Sequence, residues 1–282
     1  MLTSKVIGIL GAGNMGEALV AGLVKASIVE PKQIIVSRRT EAALAYLADT
    51  YRVQVTKSNT ELVSKSDLVV LSVKPQILGG ILDQCSLYFH EGQVVISIAA
   101  GITTKFIEEK VGKEIPVVRV MPNTPALVGE AISPYCLGRY GTAEQALLAS
   151  QIFSAVGRTV LVHEEYLDAI TALSGTGPAY LFYLLEGLIE AGVEMGLPEH
   201  LVKALVRQTA FGAAKLVMET TRSPRQLRAQ VTSPQGTTHA AMTYLEAHSF
   251  LDIFKKAVFK ARDRAVELGQ AHENGSEGAK KW

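Results

Sequence analysis

Between Lys5 and about His163, short runs of aliphatic and β-branched residues alternate with longer stretches whose apolar positions recur every three to four residues. The runs predict strands at 5–10, 33–37, 52–55, 67–73, 93–98, 116–120, 132–137 and 158–162. The stretches predict helices near 14–27, 40–49, 59–65, 75–88, 103–111 and 143–155. Parallel neighbours need a crossover long enough to hold a helix, so this alternation predicts a parallel sheet covered on both faces. Residues 1–163 therefore predict a doubly wound, Rossmann-like α/β domain.

After His163 the β-branched runs stop. Segments rich in Ala, Leu, Glu and Lys predict helices at 164–173, 178–195, 199–219, 224–230, 237–247 and 250–269, an all-α domain over residues 164–270. The helix at 178–195 is apolar around most of its circumference and carries Glu186, Glu190 and Glu194 in one stripe. Such a surface must be wrapped by its own domain or by a second subunit. Three carboxylates argue against a membrane span. The polar stretch 271–282, AHENGSEGAKKW, has too little apolar surface to order itself and predicts a disordered tail.

A length of 282 residues exceeds one usual core and fits two domains. A net charge of +1 and 6% aromatic residues provide neither the basic stripe nor the stacking platforms of a nucleic-acid binder, so the expected partner is a small molecule. Cys85 and Cys136 are far apart and lack metal-ligand spacing, which predicts neither disulfides nor a metal and suits a reducing cytoplasm. The opening MLTSKVIGIL runs straight into the first strand without the apolar core of a secretory signal, so no targeting segment is expected.

The chemistry begins in SKVIGILGAGNMGEALVAGL, where Gly11, Gly13 and Gly16 follow a strand at once and open a helix at Asn14 and Met15. Gly11 suits the tight turn, Gly13 the approach of backbone to a pyrophosphate, and Gly16 the close packing of helix on strand. The helix start then presents free N–H groups to an anion. A carboxylate at the tip of the second strand would favour NAD, but QIIVSRRT ends in Ser37, Arg38 and Arg39. These suit the 2′-phosphate of NADPH, with NADH possible; a pair of solvated surface arginines is the plain alternative. Asn59 joins the candidate dinucleotide contacts. Two further strand ends should line the same crevice: Val73, Lys74 and Pro75 after LSV, and Ala99 and Ala100 in SIAAGI, unless these are only tight helix–strand turns. VVRVMPNTPALVGE has three turn signals in one loop and predicts a rigid site wall.

Late in the chain, VTSPQGTT places Ser233, Gly236, Thr237 and Thr238 at a helix start, a carboxylate site or simply a capped helix. Taken together, GILGAGNMGEAL, LSVKPQ, SIAAGI, RVMPNTPALVGE, LSGTGPAY and VTSPQGTT resemble the Δ1-pyrroline-5-carboxylate reductase family over about residues 4–269. The resemblance implies a dinucleotide-binding domain followed by a helical dimerisation domain, with homodimers assembling further into rings. It also implies reduction of 1-pyrroline-5-carboxylate to L-proline with NADPH. Thr238 is then the catalytic hydrogen-bonding residue for the ring nitrogen, and Ser233, Gly236, Thr237 and Thr176 bind substrate with it.

Two positions depart from the family pattern. Gln235 stands where SPGGTT has glycine, and Thr176 where SGSGPAY has serine. Gln235 carries a Cβ that makes a positive φ costlier. Two other enzyme readings compete: reduction of a related cyclic imine, and the β-hydroxyacid dehydrogenases, which need a lysine early in the long helix. SGTGPAYLFYLLEGLIE has none. A catalytically silent dinucleotide-binding homologue is the non-enzymatic alternative. His163, Glu164, Glu165 and Asp168 read as a charged linker, and His239 as a helix-surface residue.

Overall fold

The computed structural model describes residues 2–273. Eight strands form one sheet in the order β3-β2-β1-β4-β5-β6-β7-β8. They are β1 (Ile7–Leu10), β2 (Ile34–Ser37), β3 (Gln54–Thr56), β4 (Leu68–Leu71), β5 (Val94–Ser97), β6 (Val117–Val120), β7 (Ala131–Leu137) and β8 (Gly157–Leu161). The crossovers are α1 (Asn14–Lys25), α2 (Glu41–Tyr51), α3 (Asn59–Lys65), α4 (Pro75–Cys85), α5 (Thr104–Val111) and α6 (Ala143–Ser154).

Strands β1, β2, β4, β5 and β6 are buried along their whole length, which is why they read as continuous apolar runs, whereas the edge strands β3 and β8 are partly exposed. Ile7 and Ile9 of β1, Val36 of β2 and Val70 of β4 meet Leu19, Leu23, Leu47 and Phe153 from α1, α2 and α6. One residue along, Leu10, Ile35 and Val69 turn to the other face and meet Leu62, Leu78, Leu82 and Ile107 from α3, α4 and α5.

The sheet is mixed and not wholly parallel: β6 pairs β7 antiparallel, Val118 opposite Leu137, and β8 then follows β7 in parallel. The stretch between β6 and β7 is the MPNTP loop with a short 3₁₀ turn, Thr124–Val128, too short to carry a crossover.

The helical half comprises α7 (Leu167–Ile170), a π turn (Thr171–Gly175), α8 (Gly177–Glu194), α9 (Glu199–Glu219), α10 (Pro224–Gln230), α11 (Thr237–Ala247) and α12 (Phe250–Glu273). Helix α12 reaches into the predicted tail as far as Glu273; the remainder of that stretch lies outside the described residues. By compactness the described chain forms two units: the first holds residues up to Thr176 and the described residues from Ala261 on, the second Gly177–Lys260. Residues 164–176 stay with the sheet because Glu164 and Asp168 pair with Arg119 of β6.

The second unit has almost no core of its own. Val202 of α9 packs on Gly192 of α8, where a Cβ would come within 2.5 Å of its methyl. These two are the buried residues of α8 and α9, whereas Leu181, Phe182, Tyr183, Leu188, Phe211 and Met218 are each more than half exposed.

Candidate active site

The chain passes from β1 to β2 on one side and returns to β4 on the other, opening a crevice outside the carboxyl ends of β1 and β4. The glycine turn lies at this switch point. Gly11 has φ +90° and donates its N–H to the Ser37 carbonyl at 3.1 Å. A side chain there would collide with Val73 and with the Ser72 carbonyl. Gly16 is held equally close, 2.8 Å from the Gly11 carbonyl and 2.9 Å from Ser72 Oγ measured from an added Cβ. Gly13 differs: nothing in the chain lies within 4 Å of where its Cβ would be. Packing therefore accounts for Gly11 and Gly16 but not for Gly13, whose bare, exposed backbone at the start of α1 fits a bound pyrophosphate.

At the tip of β2, Ser37 is buried and its hydroxyl donates to Asn59 Oδ1 at 2.9 Å. Both residues thus brace the turn through each other, and Ser37 offers no free hydroxyl proton. Arg38 is half-buried and Arg39 exposed; among the described residues neither guanidinium has a hydrogen bond or ion pair. Two unpaired guanidinium groups beside the glycine turn suit a phosphate. Val73 and Pro75 are half-buried and Lys74 is exposed at the start of α4, while the Ala99 methyl is buried in the core, so Ala99 can face the crevice only through its backbone. Ala100 is half-buried beside it. A separate cleft of about 620 Å³ runs along α1 past Glu17, Lys25, Leu127 and Val128; of the predicted dinucleotide residues, Asn14 borders it. The described residues contain no group of three or more His, Cys, Asp or Glu able to hold a metal.

The carboxyl end of β6 carries chemistry that a linear reading passes over. Arg119 is 3% exposed in the middle of VVRV, and its guanidinium meets Glu164 at 3.3 Å and Asp168 at 3.0 Å. Glu164 also accepts the Thr104 N–H at 2.8 Å and hydroxyl at 2.6 Å, so the supposed linker charges are structural ligands of a buried cation. A charged residue inside an apolar strand was the available signal; its partners, more than forty residues on, were not. Glu108, close enough to Glu164 to feel its charge, has its carboxyl pushed up by burial and further by Glu164, partly offset by the Arg139 N–H it accepts. Burial also pushes the Cys136 thiol up to about 12 and the Cys85 thiol to about 11, which leaves both as inert core residues.

The π turn runs directly into Thr176, whose N–H and hydroxyl both donate to the Thr171 carbonyl, at 2.8 and 3.1 Å. Such turns inside helices occur frequently at functional sites.

In the second unit, α11 begins at Thr237 with Gly236 as its N-cap and no side-chain capping bond. The hydroxyls of Ser233, Thr237 and Thr238 make no hydrogen bond among the described residues, so the capping alternative is excluded. Thr238 is half-buried; Ser233 and Thr237 are exposed. The turn is closed by the Gly236 N–H on the Ser233 carbonyl at 3.1 Å, with Gln235 at φ +60°. Glutamine thus adopts the left-handed conformation expected of glycine, keeping the turn at some conformational cost.

The family profile described as pyrroline-5-carboxylate reductase dimerisation matches residues 164–268, and that described as NADP oxidoreductase, coenzyme F420-dependent, matches residues 6–101. A pyrroline-5-carboxylate reductase of Corynebacterium melassecola is 42% identical over 94% of this chain and 98% of its own. One from Methanosarcina acetivorans is 40% identical over 94% and 98%. Among solved structures, a pyrroline-5-carboxylate reductase from Coxiella burnetii superposes with a TM-score of 0.86 at 36% identity, covering 94% of this chain and 99% of that one. The Plasmodium falciparum pyrroline carboxylate reductase with NADP bound gives 0.86 at 33%, covering 94% and 98%.

Proposed function

The chain belongs to the pyrroline-5-carboxylate reductase family, and we infer that it reduces 1-pyrroline-5-carboxylate to L-proline with NADPH as hydride donor. The observation that carries the reading to the residue level is the start of α11, where three hydroxyls and the first N–H groups of a helix are left without partners in their own unit. A helix N-terminus holds a carboxylate, and the free hydroxyls can bond a ring nitrogen.

NADPH supplies the hydride when bound; the backbone at Gly13, Asn14 and Met15 would hold its pyrophosphate on the turn that Gly11 and Gly16 shape by close packing, and Arg38 and Arg39 would hold its 2′-phosphate. The Thr237 and Thr238 N–H groups hold the substrate carboxylate, with Ser233 in support. As hydride adds to the imine carbon, the C=N π pair moves onto nitrogen, which keeps or gains a proton and becomes the proline amine. Thr238 bonds that nitrogen and steadies the charge change there. No strong base is required, so positioning and exclusion of water supply most of the rate.

On this reading residues 1–163 bind the cofactor, and residues 164–270 bind substrate and make the dimer. The exposed apolar faces of α8 and α9 support a homodimer. Association of dimers into a ring remains part of the proposal, supported by the exposed Tyr244, Leu251 and Ile253 elsewhere on the same unit. Two buried, unbridged thiols support a cytoplasmic setting.

The test is the purified chain with NADPH and racemic 1-pyrroline-5-carboxylate, following loss of NADPH and formation of L-proline. Stoichiometric proline is expected; NADPH binding without turnover would leave the silent homologue standing.

A further inference from the structure

We propose that Asn123 is a positioning residue for imine reduction, holding the π turn that ends at Thr176 against the wall of the crevice. The proposal rests on the reading of Thr176 as a substrate contact.

Asn123 is 9% exposed in the MPNTP loop, immediately past the carboxyl end of β6. Its carboxamide makes two bonds to two separate segments. Oδ1 accepts the Ile132 N–H of β7 at 3.1 Å, and Nδ2 donates to the Ser174 carbonyl at 3.1 Å. The second bond answers a specific need. In a regular helix the Ser174 carbonyl would accept an N–H four residues on, but that residue is Pro178, which has none. The chain passes through a π turn here, and Asn123 supplies a donor that the helix cannot.

The neighbouring contacts make this a clamp. Gly175 lies so close to the loop that an added Cβ would come within 3.0 Å of the Met121 methyl. The other end of the same segment is fixed by Arg119 through Glu164 and Asp168. Between these anchors the Thr176 N–H and hydroxyl are both held by the Thr171 carbonyl. Loss of the Asn123 donor frees the Ser174 carbonyl and lets the turn relax, which shifts Thr176. The glycine turn and the β2 tip are tied to other elements and stay in place.

Asn123→Asp separates the two bonds, because a carboxylate still accepts from Ile132 but has no proton for Ser174. The expected result is a fall of about tenfold in kcat/KM for 1-pyrroline-5-carboxylate, with the KM and the directly measured Kd for NADPH within about twofold of wild type. Asn123→Ala carries the same expectation if the aspartate variant does not accumulate. A double-mutant cycle with Thr176→Val supplies the readout that a merely structural role would not move. If Asn123 acts through Thr176, Asn123→Asp costs much less in the Thr176→Val background than alone. Additive losses, an unaltered kcat/KM for the imine, or a parallel loss of NADPH affinity would each overturn the proposal. A wild-type protein unable to reduce the imine would remove the functional reading and this inference with it, whereas an active wild type with an unaltered Asn123→Asp removes the inference alone.

Discussion

Thr238→Val tests the proposed substrate site most directly, because the proposed role and a merely structural role of its hydroxyl predict different magnitudes in folding and in turnover. The substitution keeps the β-branched shape and the helix propensity and deletes one hydroxyl. That hydroxyl has no partner among the described residues, and α11 takes its N-cap from Gly236 without any side-chain bond. No intramolecular hydrogen bond is lost, so stability should change by less than about 0.5 kcal/mol. For a chain of this size that is a shift of about 2 °C or less in Tm. A capping hydroxyl would instead cost about 1 kcal/mol. On the proposed assignment the hydroxyl bonds a nitrogen whose charge changes in turnover, a contact of about 1.5–3 kcal/mol, so its removal should cost about tenfold to hundredfold in kcat/KM. Initial rates with NADPH in excess measure this, and thermal unfolding of the same preparation measures the folding term. A competitive carboxylate lacking the ring nitrogen should keep its inhibition constant, since the backbone N–H groups at the helix start are untouched. A lower rate together with a raised inhibition constant would mean that the helix start has been distorted. An unchanged rate would place the substrate elsewhere and refute the assignment.

Replacing Arg38 and Arg39 together by Ala should raise the KM for NADPH by at least about tenfold while that for NADH moves little, since only NADPH carries the 2′-phosphate these unpaired guanidinium groups suit; equal effects on both cofactors would show that they are solvated bystanders. Light scattering at micromolar concentration should find at least a dimer, and Phe182→Glu, placed on the exposed apolar face of α8, should shift the mass toward the monomer; an active wild-type monomer would contradict the uncovered face as an interface. Gln235→Gly should raise stability by about 1 kcal/mol, because glycine takes the φ of +60° found there without a Cβ penalty; a fall in Tm would mean that the glutamine side chain makes compensating contacts in the assembly.

Elements whose cause is local were readable along the chain. Apolar runs and helical periodicity located all eight strands to within two residues at either end, and 59–65, 199–219, 224–230 and 237–247 coincide with α3, α9, α10 and α11. The glycine fingerprint needed only its neighbours, a strand before and a helix after, because turn geometry is decided within a few residues. The same holds for the missing carboxylate at the β2 tip and for the apolar circumference of α8.

What the sequence could not declare is the identity of partners separated by long stretches of chain. Arg119 is visible as an odd charge in a strand, yet Glu164 and Asp168 become its ligands only when β6 is laid beside the returning segment. Asn123 looks like one more turn residue in a proline-rich loop, and its bond to Ser174 exists only because a π turn passes over the end of β6. The reversal of β7 follows from a loop too short for a crossover, a matter of where strand ends lie in space. Whether Ser233, Thr237 and Thr238 cap α11 or stand free was open in the sequence, since both states use the same residues; the backbone at Gly236 decided it. Local propensity reaches a few residues, while burial of a charge or satisfaction of a carbonyl depends on which distant segment closes over it, and only the folded chain determines that.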